Sequence, residues 1–132
     1  QIDISMEISS EFPFSNDVWP SDITFTLNGT ELGTWTSPGD FADTRGKLNP
    51  SWWPSNLNQY GLLKTLRVTH HGTYMDGDPL SQVSISDLNK TAETWEIRIE
   101  VKPDAENVGG VTLFGKKFGN HDQDINFKAY YS

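Results

Sequence analysis

The chain has 132 residues, no cysteine and a formal net charge of −8 at pH 7. A chain of this length forms one domain that buries about two-thirds of its unfolded surface, so its core can be stable without disulfides or bound metal ions. Disulfides and thiolate metal sites are excluded. The acidic balance repels nucleic-acid phosphates, and the ten lysines and arginines form no dense run. We therefore expect no DNA binding by this domain on its own.

No apolar stretch approaches the length of a membrane span, and the N-terminus lacks the basic start and apolar core of a signal peptide. Together with the absence of cysteine, these features predict a cytoplasmic protein with no membrane partner. The chain begins directly on a strand pattern without an initiator Met, which we interpret as the start of a piece of something longer.

Apolar and polar residues alternate along most of the chain, which is the period of half-buried strands. The pattern is clearest in residues 2–8 and 95–101. Asn28 and Gly29 predict a type I′ hairpin between strands at 23–27 and 30–35, because both residues tolerate positive φ. Further strands are expected at 63–71, 82–85, 111–114 and 125–130, with a turn at Asp76 and Gly77.

These elements predict an all-β chain, specifically an antiparallel β-sandwich of jelly-roll type formed by about eight strands. No window has a helical stripe, and we expect at most a short turn near residues 49–60. No linker or repeat is visible, so residues 1–132 are expected to form a single domain.

The stretch 35–61 combines three tryptophans with turn residues and has no sustained period. A long loop in a small domain is usually functional. An aromatic ring buries the apolar C–H groups of a sugar while neighbouring polar groups bond its hydroxyls. The alternative is that Trp35, Trp52 and Trp53 only pack the loop onto the sandwich.

We expect a binding site for a small polar ligand at this loop. In an extended stretch Trp52 and Trp53 face opposite ways, so one can anchor the core while the other stays available. The candidate stacking residues are Trp19, Trp35, Trp52, Trp53 and Tyr60, and the candidate polar residues are Asp40, Asp43, Arg45 and His71.

Motifs of catalysis and metal binding are mostly absent: there is no Gly-x-Ser-x-Gly elbow, phosphate loop or His-Glu-x-x-His pair. Asn120, Asp122 and Asp124 are spaced like calcium ligands, but Ile125 occupies the position of the turn glycine. The adjacent histidines 70 and 71 are expected on opposite faces of a strand and cannot bind one ion together. The sequence therefore predicts a domain that is not an enzyme and has no metal site and no cofactor.

Several long segments resemble the C-terminal domain of bacterial ArsR-type winged-helix transcriptional regulators, and the resemblance covers essentially the whole chain. The segments are FPFSNDVWP (12–20), WTSPGDF (35–41), NPSWWP (49–54), QYGLLK (59–64) and KPDAENVGGVTLFG (102–115). The resemblance implies an effector domain that senses a ligand or mediates assembly, while an N-terminal winged helix binds DNA. Neither that winged helix nor a cysteine-rich metal-sensing motif is present in this sequence.

Three functions stay open at this point. The first is an effector domain that binds a sugar-like molecule and passes the binding energy to the winged helix, with DNA reached only through that missing domain. The second is a carbohydrate-binding module of an extracellular enzyme. The third is an oligomerisation domain whose aromatic loop is an interface, since Trp and Tyr are enriched there too. A homodimer of the full-length protein is compatible with the first and third.

Overall fold

The computed structural model describes residues 1–11, 21–38, 45–53, 59–89, 91 and 93–130, without the side chain of residue 11. Nine strands lie in these described residues, together with one 3-10 turn at Ile85–Asp87. The strands are β1 Ile2–Glu11, β2 Ser21–Leu27, β3 Thr30–Ser37, β4 Leu62–Val68, β5 Thr73–Met75, β6 Asp78–Ser81, β7 Ile97–Val101, β8 Gly110–Phe114 and β9 Asn126–Ala129.

The strands form two antiparallel sheets that pack together, so the prediction of an all-β sandwich is confirmed. The larger sheet has the order β6-β5-β4-β1-β8, and β9 pairs with the same edge of β1 as β8 does. The smaller sheet has the order β3-β2-β7. The jelly-roll type of this sandwich stays a prediction. No helix in the described part of the chain has the length and apolar character needed to cross a bilayer.

The core lies between the two sheets and follows the predicted alternation. β1 sends every second side chain inward, and so does β2, because successive residues of a strand face opposite sides. The fully or almost fully buried apolar residues of these two strands are Ile2, Ile4, Met6, Ile8, Ile23, Phe25 and Leu27. The opposite face of β1 is the outer face of the larger sheet.

Two tight turns were correctly predicted from sequence. Asn28 and Gly29 have φ of 47° and 82° and join β2 to β3, as a type I′ hairpin requires. Asp76 and Gly77 have φ of 50° and 88° and join β5 to β6 in the same way. The two short strands beside the second turn carry too few residues to show a period, so the sequence indicated only the turn.

One predicted strand is absent, and the strand predicted at 63–71 ends before the histidines. The strand expected at 82–85 is absent, since β6 ends at Ser81 and the N–H of Ser84 bonds the carboxylate of Asp87 at the start of the 3-10 turn. Likewise β4 ends at Val68 and does not reach residue 71. In both places a hydroxyl or carboxylate bonds nearby main chain and competes with the ladder.

Candidate functional site

Trp52 and Trp53 lie in a turn on the outer side of the larger sheet. The N–H of Trp53 donates to the carbonyl of Pro50 over 3.0 Å, so the pair is not extended as the sequence analysis assumed. The two rings contact each other, with centroids 5.8 Å apart. Phe118 completes the group at 6.4 Å from Trp52 and 5.5 Å from Trp53. We call these three residues the tryptophan cluster.

The two tryptophans differ in exposure although both belong to the tryptophan cluster. Trp52 is 69% exposed, whereas Trp53 is half-buried. Trp53 is therefore partly covered and Trp52 is accessible, while the prediction that one ring anchors the core and the other binds a ligand stays a prediction.

A small cleft adjoins the half-buried member. Its volume is about 190 Å³. It is lined by Trp53, Phe118, the last three residues of β8 (112–114) and Gly115. Thr112 and Phe114 pair with Ser9 and Glu7 in the ladder, so they face the outer side of the sheet. The hydroxyl of Thr112 is buried and has no hydrogen-bond partner among the described residues. The cleft is thus mainly apolar with one polar group at its wall.

Arg45, a predicted polar partner of the ligand, clamps the turn that carries the tryptophans. Its guanidinium donates to the carbonyl of Trp53 over 3.2 Å and to the carbonyl of Pro50. The structure therefore places Arg45 at the cluster in a positioning role, with its donors directed at main chain.

Glu7 of β1 connects two loops beside the tryptophan cluster through hydrogen bonds. Its side chain is fully buried, and its carboxylate accepts main-chain hydrogen bonds from Gly61 at 2.8 Å, His121 at 2.9 Å and Asn120 at 3.0 and 3.1 Å. Gly119 is required beside it, because its φ is +68° and a Cβ there would collide with the carboxylate. One carboxylate thereby ties the start of β4 to the loop that follows Phe118.

Asn49 joins the tryptophan-bearing loop to that same second loop. Its Oδ1 accepts the N–H of Gly119 at 2.6 Å, and its Nδ2 donates to the carbonyl of Gln59 at 2.7 Å. The N–H of Leu48 donates to the carbonyl of Gly119, and the N–H of Lys47 to the side chain of Asn120. These hydrogen bonds therefore join the two loops that carry the tryptophan cluster.

Sequence reasoning missed Glu7, Asn49, Gln59 and Phe118. Glu7 occupies a polar position of an alternating strand, so the pattern indicated an exposed side chain. The loops that bury it come from residues 54 and 113 positions away in the chain, and no local signal reports such a contact. Phe118 sits between glycines 115 and 119, which marks a turn but not a packing partner.

The remaining predicted residues do not join the cluster in one site. Trp35 packs against the core from β3, with the Lys64 ammonium 5.2 Å from its ring centroid, which fits the packing interpretation of that tryptophan. Tyr60 is half-buried immediately before the Gly61 that Glu7 holds. His71 lies in the turn after β4, at the opposite end of that strand from Gly61. Trp19, Asp40 and Asp43 lie outside the described residues.

The structure does not bring His71 to the tryptophan cluster, and its role as a ligand residue stays a prediction. Both histidines of the pair are exposed and lie in a turn, not on opposite faces of a strand. The N–H of His71 donates to the hydroxyl of Thr69, and the same hydroxyl donates to the carbonyl of Gly72. These bonds end β4 before the histidines.

A second, larger groove lies on the outer face of the same sheet. Its volume is about 500 Å³ and it is lined by Thr65, Arg67, Thr69, Tyr74, Asp76 and Gly77. Most of its charge is already paired: the Arg67 guanidinium binds both oxygens of Asp3 at 2.8 and 3.0 Å, and Asp76 pairs with Lys64 at 3.2 Å. The hydrogen bond from Arg67 lowers the pKa of Asp3 below its ordinary value.

The three residues with calcium-like spacing serve as hydrogen-bond acceptors for main chain. The side-chain oxygens of Asn120, Asp122 and Asp124 accept N–H groups of lysines 47, 117 and 116 respectively. In the described parts of the chain, no group of three or more acidic or histidine side chains is arranged to hold a metal ion.

Comparisons with protein-family models, with curated proteins and with solved structures each find no match for this chain. The site is therefore interpreted from its own geometry and from the sequence segments quoted above.

Proposed function

We propose that this chain is a non-catalytic effector domain of an ArsR-type transcriptional regulator and that it binds a small, sugar-like molecule at the tryptophan cluster. The observation that carries the proposal is the 69% exposure of Trp52 on a turn whose neighbouring ring is anchored. An exposed indole face offers apolar surface to the C–H groups of a sugar ring. Single exposed aromatic residues are common, so the exposure of Trp52 counts only together with the hydrogen-bonded loops on which it lies.

Those hydrogen bonds lower the entropic cost of binding. Arg45 and Asn49 hold the loop through main-chain and side-chain hydrogen bonds, and Glu7 holds the loop packed against it. A preorganised loop loses little freedom when a ligand arrives, so more of the contact energy is available as affinity.

In a regulator, ligand binding must favour one of two states of the whole protein. This requires only that the ligand bind those states with different affinity. Glu7 of β1 accepts hydrogen bonds from Gly61 and from Asn120, which follows Phe118 by two residues, so β1 is connected to the loop that carries one ring of the tryptophan cluster.

The same cluster supports a second function, a carbohydrate-binding module of an extracellular enzyme. Its contacts with the sugar would be the same, because stacking on Trp52 does not depend on what the domain is attached to. The neighbouring coding sequence distinguishes the two: a winged helix favours the regulator, and a signal peptide with a hydrolase favours the module.

The test is a thermal-shift screen of the chain against monosaccharides, disaccharides and small polar metabolites. A ligand at one hundred times its dissociation constant adds about 2.7 kcal/mol to the free energy of unfolding. Trp52→Ala should abolish the shift with little change in melting temperature, whereas Trp53→Ala should lower the melting temperature itself.

Tyr74→Ala is the matched control, because Tyr74 is the aromatic residue of the larger groove on the same face. We expect the ligand-induced shift to survive this substitution. A shift that is lost in Tyr74→Ala but retained in Trp52→Ala would move the site to that groove and refute the tryptophan cluster.

A further inference from the structure

β7 lies at the edge of the smaller sheet, and within the described residues it pairs only with β2. The carbonyl of Glu96 accepts the N–H of Asn28 at 2.8 Å, in register with the β2 ladder. Main-chain groups alternate in direction along a strand, so those of Ile97, Ile99 and Val101 point away from β2. The edge therefore presents a row of main-chain donors and acceptors that can pair with another strand.

The sequence along this edge is complementary to itself. Residues 96–102 read Glu-Ile-Arg-Ile-Glu-Val-Lys. When two such strands run antiparallel about a two-fold axis at Ile99, Arg98 stands opposite Glu100 of the second copy, and Glu96 stands opposite Lys102. Opposite charges placed directly across a ladder stabilise it, and like charges destabilise it. All four charged positions face a partner of opposite sign, in exchange with the pairs that Arg98 makes with Glu100 and Lys102 with Glu31 within each copy.

The main chain favours the same register. Ile99 is one of the outward-pointing residues, so an axis there makes Ile99 with its own copy a hydrogen-bonded pair. An axis at Arg98 or at Glu100 places two identical charges opposite each other. An axis at Val101 brings Pro103, which has no N–H to donate, into the ladder. An axis at Ile97 pairs only Glu96 with Arg98, whereas the register at Ile99 satisfies the main chain and pairs all four charged positions.

The neighbouring side of the sandwich is apolar and incompletely covered. The ring of Trp95, which precedes β7, and the ring of Phe127 in β9 contact each other with centroids 5.7 Å apart, and they are 40% and 36% exposed. Leu113 of β8 pairs with Ile8, which puts it on the same inner face, and it is 41% exposed. A second copy of β7 would set its isoleucines beside these side chains and remove them from water.

We propose that a second copy of this chain pairs with β7 through its own β7, so that two three-stranded sheets become one antiparallel six-stranded sheet. The interface is isologous, because each copy offers the same strand to the other. The interface lies on a different face from the tryptophan cluster, so its test does not depend on the proposed ligand site.

Sedimentation equilibrium of the 132-residue chain, up to about 1 mM at physiological salt, tests the proposal. We expect a monomer–dimer equilibrium. Arg98→Glu should weaken it at least about tenfold, because both copies then oppose acidic residues across the axis. Lys116→Glu makes the same charge change in the loop after β8 and should leave the equilibrium unchanged. A monomeric wild-type chain, or a dimer unaffected by Arg98→Glu, would overturn the proposal.

Complementary charge reversals make the test independent of folding defects. Arg98→Glu and Glu100→Arg should each dimerise at least about tenfold more weakly than the wild type and should form a heterodimer when mixed, since opposite signs again face each other. The double variant carrying both reversals should dimerise like the wild type. Mixtures that stay monomeric, while each variant has the circular dichroism spectrum of the wild type, would exclude this pairing.

Oxidative cross-linking fixes the register, because the chain has no native cysteine. Arg98→Cys mixed with Glu100→Cys should give a covalent dimer, since these positions are directly opposite each other. Arg98→Cys alone should cross-link much less. Equal cross-linking in both samples would indicate a different register or random collision and would contradict the axis at Ile99.

Discussion

At the scale of single residues, Glu7 decides whether the two loops of the site hold together. Glu7→Gln keeps one acceptor oxygen but turns an amide NH₂ toward buried main-chain donors. Because each unsatisfied buried donor costs about 1–3 kcal/mol, we expect a loss of about 2–4 kcal/mol in the free energy of unfolding, measured by urea denaturation. Glu106→Gln, at an exposed position, should change it by less than about 0.5 kcal/mol. Equal losses in the Glu7→Gln and Glu106→Gln chains would mean that the hydrogen bonds of Glu7 do not contribute to the free energy of unfolding.

Asp3 makes the stability depend on pH in the acid range. The hydrogen bonds from Arg67 lower its pKa, so its ion pair contributes fully above the ordinary aspartate pKa of about 3.9. That contribution is lost as the pH falls from there through the pKa of the folded state. Asp3→Asn should therefore be less stable than wild type at pH 7 and lose less stability between pH 5 and 2, which acid titration by circular dichroism measures.

The matched substitution is Asp78→Asn, which removes an exposed carboxylate and leaves the ion pair of Asp3 intact. It should keep the steep acid loss of the wild type. If the Asp3→Asn chain lost stability as steeply as the Asp78→Asn chain, a different carboxylate would govern acid unfolding. Asp22, whose pKa is lowered by a hydrogen bond from Thr36, is then the residue to examine.

At the scale of elements, the alternation along β1 makes neighbouring residues differ sharply in cost. Ile4 is fully buried in the core, and Ile4→Ala should cost about 2–5 kcal/mol. Ser5 faces the other side, where its hydroxyl bonds that of Thr65 at 3.0 Å, so Ser5→Ala should cost about 1 kcal/mol. Thermal or urea unfolding of the two variants measures this. Similar losses at both positions would contradict the register of β1.

The same alternation explains how far the sequence predicted the strands. β1 and β7 were recognised because four alternate residues in each pattern are apolar, and the β2–β3 hairpin because Asn28 and Gly29 accept positive φ. β5 has only three residues, which is too short to show a period. The end of β4 and the absence of a strand at 82–85 depend on side-chain bonds to main chain, and hydrophobicity does not encode these.

At the scale of the whole molecule, the net charge of −8 governs the relation to nucleic acid. We expect no measurable binding of duplex DNA by this chain at physiological salt, because phosphates and carboxylates repel each other. A chain extended by a winged helix should bind. Mobility-shift assays of both chains at matched salt test this, and retention of DNA by the short chain would refute the division of roles.

The candidate site was predictable only in part, because it is assembled from distant segments. The sequence indicated Trp52, Trp53 and Arg45, which lie close together in one loop. It could not indicate that Trp35 packs against the core, because tryptophan occurs both at half-buried strand positions and in loops. Nor could it place Phe118 against them, 65 residues further along than Trp53.

The measurement that tests the central claim most directly is the indole N–H spectrum of the labelled chain during titration with a screened sugar. Trp52→Ala identifies the signal of Trp52. We predict that this signal shifts in proportion to saturation, while the signal of the core residue Trp35 stays unchanged. An unmoved Trp52 signal at sugar concentrations that raise the melting temperature, or a shift confined to Trp35, would contradict a ligand site at the tryptophan cluster.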